Sequence, residues 1–317
     1  MTESGGEPLF RLLRQIRRPV TLREIVARCL RHVYMGDPFG SEEGCVPPPP
    51  PHLFDQVVVR EVDVTGIRCV IYSPKECSKQ SALLLYMHGG GFVVASSEDS
   101  DYITRMLCHS NSVVVVSINY AMAPESMFPG AIDDCMKAMD WAIANSCELG
   151  IDPENIFIAG DSAGGNLAAA MGLKLQERGT PAQGLVLLAP WLDMNLEQYD
   201  SYNRLAPDGI VYDAAFMGYA RAAYVRFEDW ANPLASPTFS DPSKWPPTII
   251  LVGDDDPLVD QSTGFKDRAN VAGCNQIELI LYPGMPHCFY SFANLFDEEQ
   301  DCYQRIAAFL SHLVEVC

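Results

Sequence analysis

Residues 155–177 read NIFIAGDSAGGNLAAAMGLKLQE, and the turn in their middle decides the fold. NIFIA is a short apolar run of strand character, and NLAAAMGLKLQE is rich in helix formers. Between them lies Gly160-Asp161-Ser162-Ala163-Gly164-Gly165, a sharp turn with serine at its tip. The flanking glycines give room for a strained backbone and for close approach of other chain segments. Strand, turn and helix in this order are the context of a G-x-S-x-G nucleophile elbow, which exposes the Ser162 hydroxyl at the C-terminal edge of a sheet. The same turn points the Ala163 N–H into that space. A phosphate-binding loop is excluded, because neither a GxxxxGK[ST] lysine nor GxGxxG spacing is present.

Working outward, the same alternation recurs. VVVREVDV (57–64) and IRCVIYS (67–73) pattern as two strands joined at Thr65-Gly66. ALLLYMH (82–88), SVVVVSI (112–118), GLVLLAP (184–190), TIILVG (248–253) and IELILYP (277–283) are nearly continuous apolar runs, as expected of strands buried on both faces. Helical patterns fall at 98–110, 130–147, 163–178, 262–272 and 297–315. The expectation is an α/β fold with a mostly parallel eight-stranded sheet flanked by helices. Residues 193–232 break the alternation, hold no clear strand, and predict a helical insertion rich in Tyr, Met, Phe and Ala. Residues 8–35 carry apolar positions at helical spacing and predict one or two amphipathic helices. Pro47–Pro51 follow, and five prolines in a row predict an extended, non-helical linker and a boundary near residue 50.

The 317 residues carry a formal charge of −19, which disfavours nucleic acid and anionic membranes as partners. No apolar run approaches the roughly 20 residues of a membrane helix. MTESGGEPLF lacks a basic stretch followed by an apolar one, so no secretory leader is expected. Eleven cysteines are scattered without a CxxC pair or metal-ligand spacing. They predict reduced thiols, a cytoplasmic location and no metal.

A serine hydroxyl needs a base, and the base a carboxylate that orients it. Of six histidines, only His287 and His312 follow Ser162. His312 falls inside a helical pattern, whereas His287 lies directly after strand IELILYP, where a base belongs. The acid is expected after TIILVG, in Asp254-Asp255-Asp256, and chemistry alone leaves the register among the three open. Strand ALLLYM runs into His88-Gly89-Gly90-Gly91-Phe92, whose glycines let backbone N–H groups face a developing oxyanion. His88 precedes the serine and reads as an organiser of that loop.

Together these segments resemble the hormone-sensitive-lipase family of α/β-hydrolases, the bacterial family IV esterases. The matching residues are His88 to Phe92, Gly160 to Asn166, Asp256-Pro257-Leu258 with Asp260, and His287, and the likeness spans most of residues 56–317. It implies Ser162 as nucleophile, His287 as general base and Asp256, directly before Pro-Leu, as the acid. The oxyanion hole would draw on Gly90 and Gly91, with Gly89 adjoining, and on Ala163. The implied domains are 51–192 with 233–317 as the catalytic unit, and 1–50 with 193–232 as a helical cap. Implied too are a small-molecule ester of short to medium chain as substrate, no cofactor, and a homodimer. Two departures stand out. Tyr120-Ala121-Met122-Ala123-Pro124-Glu125 replaces the common Tyr-Arg-Leu-Ala-Pro-Glu, and Cys288 follows the histidine where glycine is usual. Neither removes a triad group. The same triad serves amide hydrolysis, so an amidase or arylformamidase-type reaction stays open. A receptor-like relative that only binds ligand is the third reading, and the intact Ser–Asp–His set stands against it.

Overall fold

The computed structural model describes residues 51–76, 80–209, 212–292 and 296–316. The expectations for residues 8–35 and for most of the proline run lie outside these residues. The run's last member contradicts one expectation, because Pro51 opens a helix, α1 (Pro51–Gln56). Proline is compatible with the first helical turn, where its missing N–H would have no partner in any case.

Eight strands form one sheet: β1 (Val57–Val64), β2 (Ile67–Pro74), β3 (Ser81–Met87), β4 (Val114–Ile118), β5 (Ile151–Asp161), β6 (Gly184–Leu188), β7 (Thr248–Asp255) and β8 (Ile277–Pro286). Their order is β1-β2-β4-β3-β5-β6-β7-β8. The β1–β2 and β2–β4 pairs are antiparallel and every other pair is parallel, so the mostly parallel sheet is as expected. The β1–β2 turn places Thr65 at φ +53° and Gly66 at +91°, the left-handed pair that matches strand twist in a two-residue hairpin.

The intervening helices are α2 (Asp101–Asn111), α3 (Gly130–Ala144), α4 (Ser146–Leu149), α5 (Ala163–Arg178), α6 (Asp200–Leu205), α7 (Ala214–Tyr224), α8 (Val259–Val271) and α9 (Asp297–Val316). Strand residues alternate between two cores. Leu83, Leu85 and Met87 share one core with Ile132 of α3, Leu167 of α5 and Phe265 of α8. Leu84 and Tyr86 share the other with Leu107 of α2 and Ile306 of α9. Both faces of the sheet are therefore covered, which is why its strands read as unbroken apolar runs. Between β6 and β7, the described residues of 193–232 hold α6, α7 and short 3-10 turns, and no strand. No helix among the described residues is long and apolar enough to cross a membrane.

Two strands outrun their expected lengths. β5 starts at Ile151 because Ser81 pairs with Ile151, ahead of the Asp152-Pro153 that suggests a loop. β8 continues through Gly284 to Pro286 because Pro286 pairs with Asp255. Helix α8 begins at Val259 rather than 262 and carries exposed Gly264, around which a Cβ would meet nothing within 4 Å. Gly264→Ala is expected to stabilise the protein by about 0.5–1 kcal/mol, read from the urea midpoint at unchanged slope.

Candidate active site

Four parallel strands deliver four loops to one edge of the sheet. Met87 ends β3 and leads to His88, Asp161 ends β5 and leads to Ser162, Asp255 ends β7, and Pro286 ends β8. In open α/β sheets ligands bind beyond these carboxyl ends. β7 and β8 are neighbours, and the pairing of Asp255 with Pro286 brings the next residue of each strand face to face. Those residues are Asp256 and His287, and His287 Nδ1 lies 2.7 Å from Asp256 Oδ2.

Asp254, Asp255 and Asp256 differ in what they touch. Asp254 Oδ1 accepts from the Gly284 N–H at 2.6 Å and so fixes the turn in β8. Asp255 is half-buried and lines a cavity. Asp256 is fully buried, its Oδ1 accepts from Leu258 N–H at 2.8 Å, and its other oxygen faces His287.

Ser162 has φ +54° and ψ −115°, a conformation that non-glycine residues rarely adopt. Its backbone is held on both sides. The Ser162 N–H donates to Leu188 O at 2.8 Å, and its carbonyl accepts from Trp191 N–H at 3.0 Å. Asn166 Nδ2 donates to Trp191 O and Ala235 O, both at 2.8 Å, and ties the turn to the chain after β6. The neighbouring glycines are sterically required. A Cβ on Gly165 would lie 2.9 Å from Pro190 Cβ, and one on Gly164 would overlap the carbonyls of Met87 and His88. Ser162 caps no N–H of α5 through its side chain, so the hydroxyl is left to the cavity.

That cavity has an open volume of about 480 Å³ and is lined by Gly91, Ser162, Asp255, Asp256 and His287. Trp191, Pro257, Leu258 and Pro286 add apolar wall, and Leu205, Tyr212, Phe216 and Met217 come from the 193–232 insertion. Tyr212 and Phe216 stack with centroids 4.5 Å apart, and Tyr212 makes a T-shaped contact with His287 at 6.3 Å. Tyr202, a third aromatic of the insertion, is buried and does not line the cavity.

Burial works against a charged His287 imidazole, but the Asp256 carboxylate, together with the adjoining Cys288 sulfur, outweighs it and holds the ring well above the ordinary histidine range. His88 is the reverse. Burial lowers its pKa and leaves the ring neutral, stacked on Tyr120 with centroids 4.4 Å apart and bonded through Nδ1 to Gly89 O at 2.7 Å. It is bonded to the first glycine of the loop, the contact that an organiser of that loop needs. His312 is exposed on α9.

Among the oxyanion candidates the structure draws a distinction. The Gly89 N–H already donates to Asp161 Oδ1 at 2.8 Å, which contradicts its assignment as a free donor. The N–H groups of Gly90, Gly91 and Ala163 have no hydrogen-bond partner among the described residues. Gly91 lines the cavity, and Ala163 is the first residue of α5, where helix N–H groups lack intrahelical partners. Cys288, in the place of the usual glycine, keeps a left-handed backbone at φ +62° and is buried, with Tyr290 Oη 3.7 Å from its sulfur.

The sequence reading missed Asp161. It is buried, and burial pushes its carboxyl up to about 6, against the pull of the Tyr86 hydrogen bond, the charge of His287 and the Gly89 hydrogen bond. The available signal was an aspartate closing an otherwise apolar strand. Among the described residues no group of His, Cys, Asp and Glu could hold a metal ion.

Comparison with known proteins bears on the fold and on the class of reaction. A family model described as alpha/beta hydrolase fold matches residues 84–291. The chain is 36% identical over 205 residues to an arylesterase of Saccharolobus solfataricus, covering 64% of this chain and 66% of that protein. It is 31% identical over 254 residues to the carboxylesterase NlhH of Mycobacterium tuberculosis, covering 77% and 79%. A hyperthermophilic esterase from Pyrobaculum calidifontis superposes with a TM-score of 0.77 at 30% identity, over 96% of this chain and 97% of that one.

Proposed function

Because the chain belongs to the α/β-hydrolase fold family and is a carboxylic ester hydrolase, we propose that it is a serine carboxylesterase of the hormone-sensitive-lipase type working through an acyl-enzyme at Ser162. The observation that carries this reading is Ser162 at a strained turn, sharing one cavity with a histidine whose far nitrogen is fixed by a buried carboxylate.

The Asp256 bond commits His287 Nδ1, so Nε2 is the atom that takes the proton from Ser162 Oγ as Oγ attacks the ester carbonyl carbon. The carbonyl oxygen becomes an oxyanion, and the N–H groups of Gly90, Gly91 and Ala163 stabilise it. The C–O bond to the alcohol breaks, and Nε2–H protonates the leaving oxygen. Water then gives a proton to Nε2 and attacks the acyl carbon; the acyl–Oγ bond breaks, Nε2–H returns its proton to Oγ, and the acid is released. Asp256 holds the ring in place and stabilises the imidazolium.

The insertion contributes the far wall of the cavity through Leu205, Tyr212, Phe216 and Met217, which supports a cap role for residues 193–232. The bulky side chains that the insertion places across the cavity, Tyr212 and Phe216 above all, favour short and medium acyl chains. The test is hydrolysis of p-nitrophenyl esters from acetate to palmitate. A maximum at short or medium chains that disappears in Ser162→Ala supports the proposal, and activity retained in Ser162→Ala overturns it.

The pH dependence follows from the raised pKa of His287. The base works only when neutral, so kcat/KM falls as pH drops through that pKa. Its acid limb is therefore expected above 6.5, the unperturbed histidine value. A limb at or below 6.5 contradicts the raised pKa and shows that burial outweighs the carboxylate at His287.

A further inference from the structure

We propose that Asp161 is a positioning residue that fastens the glycine loop to the serine-bearing strand and so sets the direction of the Gly90 and Gly91 N–H groups. The inference rests on the oxyanion role proposed for those amides.

Asp161 closes β5 immediately before Ser162 and is almost entirely out of solvent. One of its oxygens does two things. Oδ1 accepts from the Gly89 N–H at 2.8 Å and from the Tyr86 hydroxyl at 2.5 Å. Tyr86 lies in β3, the strand that runs into the loop, and Ala159, two residues before Asp161, is its partner in β5. A single carboxylate thus bridges the strand that feeds the loop and the first glycine of the loop. Its second oxygen presses on Gly89, where an added Cβ would overlap Oδ2. Position 89 therefore has to be glycine for the carboxylate to reach the backbone. Beyond Gly89 the loop closes on itself, with Val93 and Val94 N–H both donating to Gly90 O at 3.1 Å. Phe216 and Ala220 of α7 abut Gly91, since a Cβ there would lie 3.0 Å from each. Asp161 is thus the tie between this turn and the elbow on the sheet side.

Leaving a carboxylate in a buried site opposes its ionisation, and hydrogen bonds from Gly89 and Tyr86 partly offset that cost. Hydrogen bonds to an ionised acceptor are shorter and stronger than neutral ones. Charge strengthens the tie, and an uncharged acceptor oxygen at the same place still holds the Gly89 N–H.

The test compares Asp161→Ala, Asp161→Asn and Tyr86→Phe by kcat and KM on p-nitrophenyl butyrate and by hydrogen exchange of peptides spanning residues 86–95. For Asp161→Ala, kcat is expected to fall roughly 100-fold, as for a lost or misaimed oxyanion donor, with KM within about threefold. Amide exchange in residues 86–95 is expected to quicken in parallel. Asp161→Asn keeps an acceptor oxygen and is expected to restore most of both, and Tyr86→Phe is expected to fall between. Unchanged exchange in Asp161→Ala overturns the anchoring whatever the kinetics do. An Asn variant as impaired as Ala also overturns it, because charge rather than attachment would then matter. If Asp161→Ala does not fold, Tyr86→Phe decides, and no change in either readout overturns the proposal. A wild-type protein that turns over no ester overturns the oxyanion reading instead, and the exchange data still decide the anchor.

Discussion

Asp256→Asn is expected to lower kcat for ester hydrolysis about ten-thousand-fold, while Asp255→Asn stays within about tenfold of the parent. The asymmetry comes from what each carboxylate touches. Asp256 has no exposed surface, and its Oδ2 holds the Nδ1 proton of His287 at 2.7 Å. An amide there presents either an N–H, which forces the proton onto Nε2 and disables the base, or a neutral oxygen that stabilises the imidazolium poorly. Asp255 lines the cavity but does not bond the imidazole. Substitution at Asp254 is expected to act through the turn it fixes at Gly284, as lost stability rather than lost chemistry. Equal losses at Asp255 and Asp256, measured by active-site-titrated kcat, contradict the pairing.

Gly164→Ala is the second large effect, and it is structural. A Cβ at 164 would lie 2.5 Å from the carbonyl carbon of Met87 and 2.6 Å from the carbonyl oxygen of His88. Both are backbone atoms of β3 and the loop that follows it, so no rotamer change relieves the clash. Either the elbow or the glycine loop must move. The expected cost is about 3 kcal/mol or more, beyond ordinary overpacking, with activity lost in whatever fraction folds. Gly172→Ala in the same helix is the control. There the Cβ would meet the Cδ1 atom of Leu185 at 2.9 Å, a side chain that can turn aside. Its cost is expected to stay near 1 kcal/mol, read by urea denaturation. A Gly164→Ala protein with parental stability and kcat contradicts the close approach of these segments.

The parts of the fold legible in the sequence are those where local pattern and tertiary demand coincide. NIFIA before GDSAGG gives the strand and the elbow, because a strand buried on both faces is apolar throughout and the turn needs glycine on each side of Ser162. His287 is legible because it follows an apolar run. The three aspartates are not distinguishable by pattern. Which one turns inward depends on where β7 stops against β8, a cross-strand register that no local signal carries. The same holds for Gly284 and Pro286, which look like turn residues and are drawn into β8 by its neighbour. Tyr202, Tyr212 and Phe216 are equivalent by composition, and only packing sends two of them to the cavity. Gly89 looks like Gly90 and Gly91 in the sequence, and its N–H is taken by a side chain 72 residues away.

The measurement closest to the central claim is covalent labelling with diethyl p-nitrophenyl phosphate, followed by peptide mass mapping. Attack by the nucleophile releases p-nitrophenolate and leaves a diethylphosphoryl group on the attacking oxygen. The account predicts one adduct per chain, on Ser162, matched by loss of ester hydrolysis, absent in Ser162→Ala and greatly slowed in His287→Ala. An adduct on another residue, or ester hydrolysis that persists while Ser162 is fully modified, contradicts it.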